Sequence, residues 1–213
     1  LTGCLDKFKP PTIVTEEDKM MYAVGMALSQ QVMSLELTKE ELEIVHEGLQ
    51  DGVFKKDAKI EMQTYGPKIQ SWAQARLEKL SNNTKIQGDD YISDFAKNKN
   101  VIKTKSGVLV KFIKKGKGDF PTIGDTVKVH YHGTLVDGKV FDSSVSRKEP
   151  MTFPLGEVIL CWKEGINKIQ VGGKAKIVCP PETAYGEKGV PPMISPNTTL
   201  ICEVELIEII KKG

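Results

Sequence analysis

The sequence contains few histidines and cysteines and no long apolar segment. Its three histidines and four cysteines are scattered, without the spacing of a metal-binding framework. No apolar run approaches the roughly 20 residues of a membrane-spanning helix, and the lysines are spread along the chain instead of forming a basic patch. With 39% hydrophobic and 27% charged residues, the 213 residues suffice for one or two folded domains. These features exclude a disordered protein and argue against a metalloprotein, a transmembrane protein and a nucleic-acid binder.

The first four residues, Leu-Thr-Gly-Cys, resemble a bacterial lipobox, in which small residues precede a cysteine that receives a lipid. Residues 1–14 continue with lysines and prolines and show no helical periodicity, which is typical of a tether. We therefore expect Cys4 to carry a lipid anchor to the membrane of a bacterial envelope. Leu5 follows this cysteine in place of aspartate, which by resemblance to lipoprotein sorting rules favours the outer membrane, facing the periplasm. A chance cysteine near the terminus is the alternative.

The composition changes near residue 104, which predicts a domain boundary there. Residues before it are rich in Met, Gln, Glu and Lys, whereas those after it are dense in Gly, Pro, Val and Ile. Apolar residues recur at helical spacing over 15–35, Thr38 opens a second helix with a capping box, and Pro67 opens a third, about 45 Å long if it is unbroken. The expected divisions are a tether at 1–14, a helical region at 15–66, a connecting helix at 67–103 and a C-terminal domain at 104–213.

The third helix has a polar middle, which predicts a solvent-exposed spacer with Gly88 as a bend or weak point. The two short helices before it form too small a unit to bury both of their apolar faces within one chain. A homodimer formed through residues 15–66 would cover these faces, and flexible methionine side chains suit such a contact. Those methionines are Met20, Met21, Met26 and Met33, for each of which packing within one chain is the alternative.

The C-terminal region alternates apolar and polar residues in a strand-like manner. Strand patterns occur at 108–112, 127–131, 175–179 and 199–209, glycine-rich turns separate them, and one helical segment lies at 162–169. This pattern predicts an antiparallel sheet wrapped on one short helix. The fold class is therefore α+β, with an N-terminal helical dimerisation region, a long connecting helix and a C-terminal antiparallel sheet.

The candidate chemical groups of this region favour binding over catalysis by a nucleophile or a metal. Ser143 and Ser144 lack a nucleophile motif, and His130 and His132 share one face of a strand without a third ligand. No metal or cofactor is therefore expected. An apolar cup around one acid is an alternative to plain core for a further set of residues: Tyr131, Phe141, Asp142, Val158, Ile159, Trp162 and Tyr185.

Four motifs of this region occur in an order and spacing that resemble an FKBP-type peptidyl-prolyl isomerase domain. They are VKVHYHGTL at 127–135, DGKVFDSS at 137–144, EVILCW at 157–162 and AYG at 184–186. The resemblance covers about residues 104–210, and the helical half is similar to the macrophage infectivity potentiator group of that family, whose members are dimeric envelope proteins. It implies an isomerase that assists folding of exported proteins, acts on proline-containing polypeptides and is inhibited by rapamycin-type macrolides.

The same resemblance implies which residues form the site. The residues implied for catalysis are Tyr131, Phe141, Asp142, Trp162 and Tyr185. Those implied for binding of substrate or inhibitor are Arg147, Met151, Val158, Ile159, Val190, Ile194 and Cys202. Arg147 is expected to pair with Asp142, while the Tyr185 hydroxyl and the Ile159 N–H face bound carbonyl groups. Catalysis then requires no proton transfer, because a dry aromatic cup favours the twisted X–Pro amide over the planar one.

Three of these positions depart from the family pattern, with Met151 in place of an aromatic residue, Val190 in place of a histidine and Cys202 in place of a phenylalanine. The lost ring at Cys202 predicts a looser pocket. This leaves open a chaperone or surface-interaction protein with weak isomerase activity. Cys179 and Cys202 lie on neighbouring strands of this fold and are candidates for a disulfide. Either of them could instead pair with Cys161. Buried free thiols are the favoured expectation.

Overall fold

The computed structural model describes residues 11–211, so Cys4 and most of the expected tether lie outside the described residues. The chain divides into two compact units, of which the first ends at Ile69 and the second begins at Gln70. None of the helices within residues 11–211 is long and apolar enough to cross a membrane.

Two of the helices in the first unit begin at side-chain caps. Helix α1 spans Glu16–Ser29, and the Thr15 hydroxyl accepts the Asp18 N–H at 3.0 Å while the Asp18 carboxylate accepts the Thr15 N–H at 2.8 Å. Helix α2 spans Lys39–Val53 and begins at the predicted capping box of Thr38. Helix α3 is a single turn at Met62–Tyr65. Each cap satisfies backbone N–H groups that the first helical turn leaves unpaired.

The first helix is shorter than the apolar spacing over residues 15–35 predicts. Helix α1 ends at Ser29, a 3₁₀ turn follows at Met33–Leu35, and Glu36 adopts a left-handed backbone conformation with φ of 48°. A left-handed residue cannot continue a right-handed helix, so the chain reverses before α2.

The apolar faces of the first unit are exposed. Leu42, Val45 and Leu49, which form the predicted apolar face of α2, are 51%, 41% and 48% exposed. Within residues 11–69 the one buried residue is Asp51, whose carboxylate is paired with two lysines at 3.3 and 3.5 Å. The described part of this unit therefore has no hydrophobic core of its own.

Helix α4, which spans Ile69–Ala96, is the predicted connecting helix. It begins two residues after Pro67, which lies in a 3₁₀ turn at Gly66–Lys68. Gly88, the predicted bend, lies inside the continuous helix and is its buried residue. A Cβ atom at Gly88 would lie 2.4 Å from Oγ1 of Thr199, and Ser81 accepts a 2.9 Å hydrogen bond from Asn197. The prediction of a bend at Gly88 in a fully exposed spacer is therefore corrected, because this glycine permits close packing against the C-terminal domain.

Seven antiparallel strands form the sheet of the second unit. They are β1 Val101–Lys103, β2 Leu109–Lys114, β3 Thr126–Thr134, β4 Val140–Ser143, β5 Met151–Pro154, β6 Lys174–Cys179 and β7 Leu200–Ile210. The order is β1-β2-β6-β7-β3-β4, with β5 also paired to β3. Helix α5 spans Ser144–Arg147 and helix α6 spans Leu160–Ile166. The predicted α+β class is confirmed, including the antiparallel sheet with one short helix packed on it.

The hydrophobic core lies between this sheet and α6. Strand β3 alternates buried and half-buried residues, because successive side chains of a strand point to opposite faces. On the face opposite the core cluster, Val178 is the register partner of both Leu109 and Ile201, and all three are buried. The middle of the sheet is therefore buried on both faces.

The cysteines differ from the favoured expectation of free thiols. Cys161 in α6 and Cys179 at the end of β6 form a disulfide, with their Cα atoms 5.5 Å apart. Cys202 is free and buried. Strand pairing places Cys179 opposite Leu200, and Cys202 opposite Ile177, so a bond between Cys179 and Cys202 does not form. The alternative pairing with Cys161 is the one present.

Candidate active site

A cavity of about 330 Å³ lies against α6, β3, β4 and β5. Its lining consists of Tyr131, Phe141, Asp142, Met151, Phe153, Glu157, Val158, Ile159, Trp162, Tyr185 and Leu200. The volume falls in the range of small-ligand pockets. The structure thus brings together all five residues proposed for catalysis and three of those proposed for binding.

Trp162 forms the floor of this cavity through contacts with two other rings. Its indole meets Tyr131 edge to face, with ring centroids 5.0 Å apart and an interplanar angle of 71°. Phe153 packs at 5.4 Å and 40°. The backbone N–H of Trp162 donates to the carbonyl of Ile159 at 3.0 Å, and this bond begins α6. A short helix and two rings therefore fix the position of the indole.

Phe141 forms a wall that approaches the backbone of β3. A Cβ atom at Gly133 would lie 2.5 Å from the Phe141 ring, and Gly133 is the register partner of Asp142 in the pairing of β3 with β4. The glycine makes room for the ring, because any side chain at this position would occupy the same space.

One polar cluster interrupts the apolar lining, and it contains the predicted Arg147–Asp142 pair. The Tyr131 hydroxyl donates to Oδ2 of Asp142, and the guanidinium of Arg147 donates to Oδ1. Arg147 also donates to the Tyr131 hydroxyl oxygen at 3.0 Å, and the Ser143 N–H donates to Oδ1 of Asp142 at 2.8 Å. The carboxylate charge is therefore satisfied by protein groups at the cavity wall.

These contacts set the protonation of the site. Burial opposes ionisation of Asp142, but the hydrogen bonds from Tyr131 and Arg147 outweigh it and lower the pKa of the carboxyl below its usual value. Burial raises the pKa of Tyr131, and its bond to the carboxylate adds to that shift. Burial also raises the pKa of Tyr185. At neutral pH Asp142 is therefore a compensated carboxylate, and Tyr131 and Tyr185 are protonated phenols.

The serines and histidines near the cavity connect its strands. The Ser144 hydroxyl accepts the Tyr131 N–H at 2.8 Å and donates to the Tyr131 carbonyl at 3.2 Å. A ring nitrogen of His130 lies 3.1 Å from the Ser144 hydroxyl, and one of His132 lies 3.0 Å from the Ser143 hydroxyl. These bonds fix β4 and α5 against β3. Across residues 11–211, no group of three His, Cys, Asp or Glu side chains is arranged to hold a metal ion.

Four residues proposed for binding do not line the cavity: Arg147, which reaches it only through its pair with Asp142, and Val190, Ile194 and Cys202. Val190 is 42% exposed, and its N–H donates to the carbonyl of Ile194 at 2.7 Å within the loop after Tyr185. Ile194 is buried in the core cluster. Cys202 is 1% exposed and lies in the core cluster against which Trp162 packs. The ring that is missing at Cys202 is therefore absent from the core next to the floor and not from the lining.

The sequence interpretation missed three lining residues: Phe153, Glu157 and Leu200. Phe153 follows Met151 by two residues on β5, so both side chains lie on one strand face, and strand alternation could have indicated it. Glu157 begins the third motif and adds a carboxylate to the lining. Apart from the charged groups, the lining suits an uncharged apolar group, with hydrogen-bond donors at its edge.

Comparison with known proteins agrees with this geometry. The profile of the FKBP-type peptidyl-prolyl cis-trans isomerase family matches residues 117–207, and that of the domain amino terminal to FKBP-type peptidyl-prolyl isomerase matches residues 17–111. The FKBP-type peptidyl-prolyl cis-trans isomerase FkpA of Escherichia coli K12 is 39% identical over 209 residues, which cover 91% of this chain and 76% of that protein. The FKBP-type 22 kDa peptidyl-prolyl cis-trans isomerase of the same organism is 36% identical and covers 94% of this chain and 98% of its own length.

A solved structure gives the same result for the fold. The crystal structure of FkpA from Escherichia coli matches with a TM-score of 0.68 and 37% identity, covering 95% of this chain and 100% of that one. The chain belongs to the FKBP-type peptidyl-prolyl cis-trans isomerase family, as the four motifs indicated. Its reaction class is therefore that of a rotamase, which acts on proline-containing polypeptides.

Proposed function

We propose that this protein isomerises X–Pro bonds of exported polypeptides in the bacterial envelope, with the cavity above Trp162 as its active site. The observation that carries this proposal is an apolar aromatic cavity whose half-buried Asp142 carboxylate is already compensated by Tyr131 and Arg147. Such a cavity binds an uncharged prolyl ring and removes water from the amide that precedes it.

The proposed mechanism is non-covalent. Rotation about an X–Pro bond faces a barrier of roughly 18–20 kcal/mol, largely from lost amide resonance. The twisted amide separates less charge than the planar one, so a poorly solvated cavity stabilises it relative to the ground state. An acceleration of about ten thousandfold needs only about 5.4 kcal/mol of this differential binding.

Two donors at the edge of the cavity orient the substrate in this proposal. The raised pKa of Tyr185 keeps its hydroxyl protonated and able to donate to a substrate carbonyl. The carbonyl of Ile159 accepts the first backbone bonds of α6, while its own N–H precedes the helix and is not used in it. We assign this N–H to a second bound carbonyl.

The test is the cis-to-trans rate of a short X–Pro peptide, measured with and without rapamycin, a macrolide expected to fill the same cavity. We expect acceleration that rapamycin abolishes and that Trp162→Ala strongly reduces. Acceleration that persists in the folded Trp162→Ala variant would place the active site elsewhere.

We further propose a homodimer formed through residues 15–66. The support is the exposed apolar surface of α1 and α2, including Met20 and Met21 at 68% and 65% exposure. Sedimentation of the full chain measures the assembly directly. Substituting aspartate for Leu42 and Leu49 is expected to yield a folded monomer with undiminished peptide activity.

The location in the outer membrane is proposed from the sequence, through a lipid on Cys4 as in the macrophage infectivity potentiator group. The disulfide between Cys161 and Cys179 supports an oxidising compartment such as the periplasm. Metabolic labelling with a fatty acid tests the anchor, and the Cys4→Ser variant should lose both the label and the membrane fraction.

A chaperone is the second candidate function, and the exposed apolar residues of the first unit favour it because they also suit unfolded clients. Suppression of aggregation by the Asp142→Ala variant separates the two functions. Full suppression without isomerase activity would support a chaperone role, whereas parallel loss of both would support isomerisation alone.

A further inference from the structure

Three cysteines lie in the core cluster against which Trp162 packs. Cys161 directly precedes Trp162 in α6 and is fully buried. Its disulfide partner, Cys179, is the last residue of β6. Cys202 on β7 is also in the core cluster, against which the Trp162 side chain packs. A covalent bond therefore joins the sheet to the residue adjacent to the indole.

We propose that the Cys161–Cys179 disulfide is a positioning element of the active site, which holds Trp162 where the prolyl group binds. The inference rests on the proposed active site and assigns it a support that the motifs do not contain. The disulfide touches no substrate in this arrangement and acts only through the tryptophan next to it.

Helix α6 would be weakly attached to the sheet without this bond. The helix has seven residues, and no side chain caps its N-terminus. A helix this short is not stable alone and depends on its attachments. Its other end is attached by close packing, since a Cβ atom at Gly165 would lie 2.7 Å from the Ile177 side chain. The disulfide supplies the corresponding attachment at the end that carries Trp162.

Two aromatic rings pack closely against the indole of Trp162. Tyr131 and Phe153 contact Trp162 with ring centroids at 5.0 and 5.4 Å, and both line the cavity. A shift of Cys161 therefore displaces the floor against two walls. Displacements of about 1 Å in such a site are enough to reduce catalysis substantially.

The free Cys202 thiol in the core does not exchange with this disulfide. Burial raises the pKa of the Cys202 thiol to about 11, so it stays protonated at neutral pH. Thiol–disulfide exchange requires a thiolate, and the neighbouring Cys202 does not provide one.

The experiment uses the full chain with Trp72→Phe, which leaves Trp162 as its only tryptophan. In this background the Cys161→Ala/Cys179→Ala variant is compared with Val178→Ala. Val178 adjoins Cys179 in sequence but faces the other side of the sheet, so this variant matches the loss of core volume without touching α6. The measurements are kcat and KM on an X–Pro peptide, the anisotropy decay of Trp162, and urea unfolding.

We expect the double cysteine variant to lose about tenfold or more in kcat/KM and to show faster local rotation of Trp162. Val178→Ala should lower stability while leaving the tryptophan decay and kcat/KM unchanged. Reduction of the folded parent with a phosphine should have the same effect as the double variant. In that reaction the S–S bond gives two thiols, and the phosphine takes oxygen from water to become a phosphine oxide. The reduced parent keeps the inference testable if the double variant does not fold.

Three results would overturn the inference. Alkylation of Cys161 or Cys179 in the unreduced protein would show that the bond is absent. Wild-type kcat/KM and tryptophan decay in the folded double variant or the reduced parent would show that the bond does not position Trp162. Equal losses in Val178→Ala would show a general stability effect. Full activity in Asp142→Ala and Tyr185→Phe would instead refute the proposed site, so the two failures are distinguishable.

Discussion

Between residues 108 and 206 the chain buries 21 hydrophobic residues, whereas between residues 11 and 69 it buries none. Eighteen large hydrophobic side chains of that N-terminal range are exposed instead. Both ranges have well-formed local structure, since α1 and α2 begin at complete capping boxes. The difference therefore lies in tertiary packing, because the sheet covers its apolar face with α6 while the N-terminal helices lack an equivalent cover within the described chain.

Well-formed helices therefore do not by themselves give a hydrophobic core, because the core depends on a second surface that covers their apolar faces. Covering one exposed leucine or methionine contributes roughly 1.5–3 kcal/mol, so a second surface offers the N-terminal helices a large gain. The cavity proposed as the active site, by contrast, is formed entirely by residues of the second unit. Assembly and catalysis should therefore be separable.

Removal of residues 1–66 is expected to have the largest effect, which is on assembly and not on activity. The remaining chain keeps the entire sheet, α6 and the cavity, so we expect a monomer whose peptide activity stays within about twofold of the full chain, since none of the lining is lost. Sedimentation velocity and the X–Pro peptide assay check both expectations. A dimer that survives this truncation would remove the proposed role of the N-terminal helices.

Within the second unit, Asp142→Ala should reduce kcat/KM by about 10- to 100-fold, the equivalent of losing charge-assisted hydrogen bonds to Tyr131 and Arg147. The matched control is Asp94→Ala, which removes a carboxylate paired with Lys97 on the surface of α4. Unchanged turnover in the Asp142 variant would mean that this cluster does not shape the active site.

Cys202→Phe tests how completely the core is packed. Because Cys202 is 1% exposed and does not line the cavity, the larger ring should lower the free energy of unfolding by about 1–3 kcal/mol. Cys202→Ala is the control for loss of the thiol, and urea unfolding is the measurement. Higher stability together with higher activity in the phenylalanine variant would instead restore the hypothesis of a loose pocket.

Two helical glycines contrast the units directly. Gly88→Ala places a Cβ atom 2.4 Å from the Thr199 hydroxyl and should destabilise the second unit by about 1 kcal/mol or more. Gly48→Ala on α2 meets nothing within 4 Å and should stabilise its helix by about 0.5–1 kcal/mol. Thermal unfolding of both variants checks the signs, and equal shifts in the same direction would contradict the packing described for Gly88.

The smallest effect is expected from pH. The lowered pKa of Asp142 and the raised pKa values of Tyr131 and Tyr185 keep the site in one protonation state, so kcat/KM should be constant between about pH 5 and 9. Asp142 contributes stability above its unfolded pKa of about 3.9, and that contribution is lost as pH falls through its lower folded value. A bell-shaped profile would indicate a proton transfer that the mechanism does not contain.

Much of the fold could be predicted because the signals are local. The Thr38 capping box and the strand alternation of 127–131 each depend on residues a few positions apart. Strands β1, β4 and β5 contain three or four residues each, too few for a period to be recognised. The end of α1 was missed because the apolar spacing continues past Ser29 while the backbone does not.

Residues of the candidate site that lie within the motifs could be predicted, whereas residues that only the fold brings to the cavity could not. Tyr131, Asp142 and Trp162 lie in the quoted motifs and meet in the cavity. Leu200 depends on the register of β6 with β7, and the partner of Cys161 depends on how α6 packs on β6; the sequence displays neither.

The contact of Gly88 with Thr199 has a consequence for how related sequences vary. These two positions share one small volume although they are distant in the chain, and Thr199 directly precedes Leu200 of the cavity lining. A relative that acquires a side chain at position 88 should therefore retain a smaller residue at position 199, so that the two positions change together during evolution. Thr199→Ala should accordingly rescue Gly88→Ala.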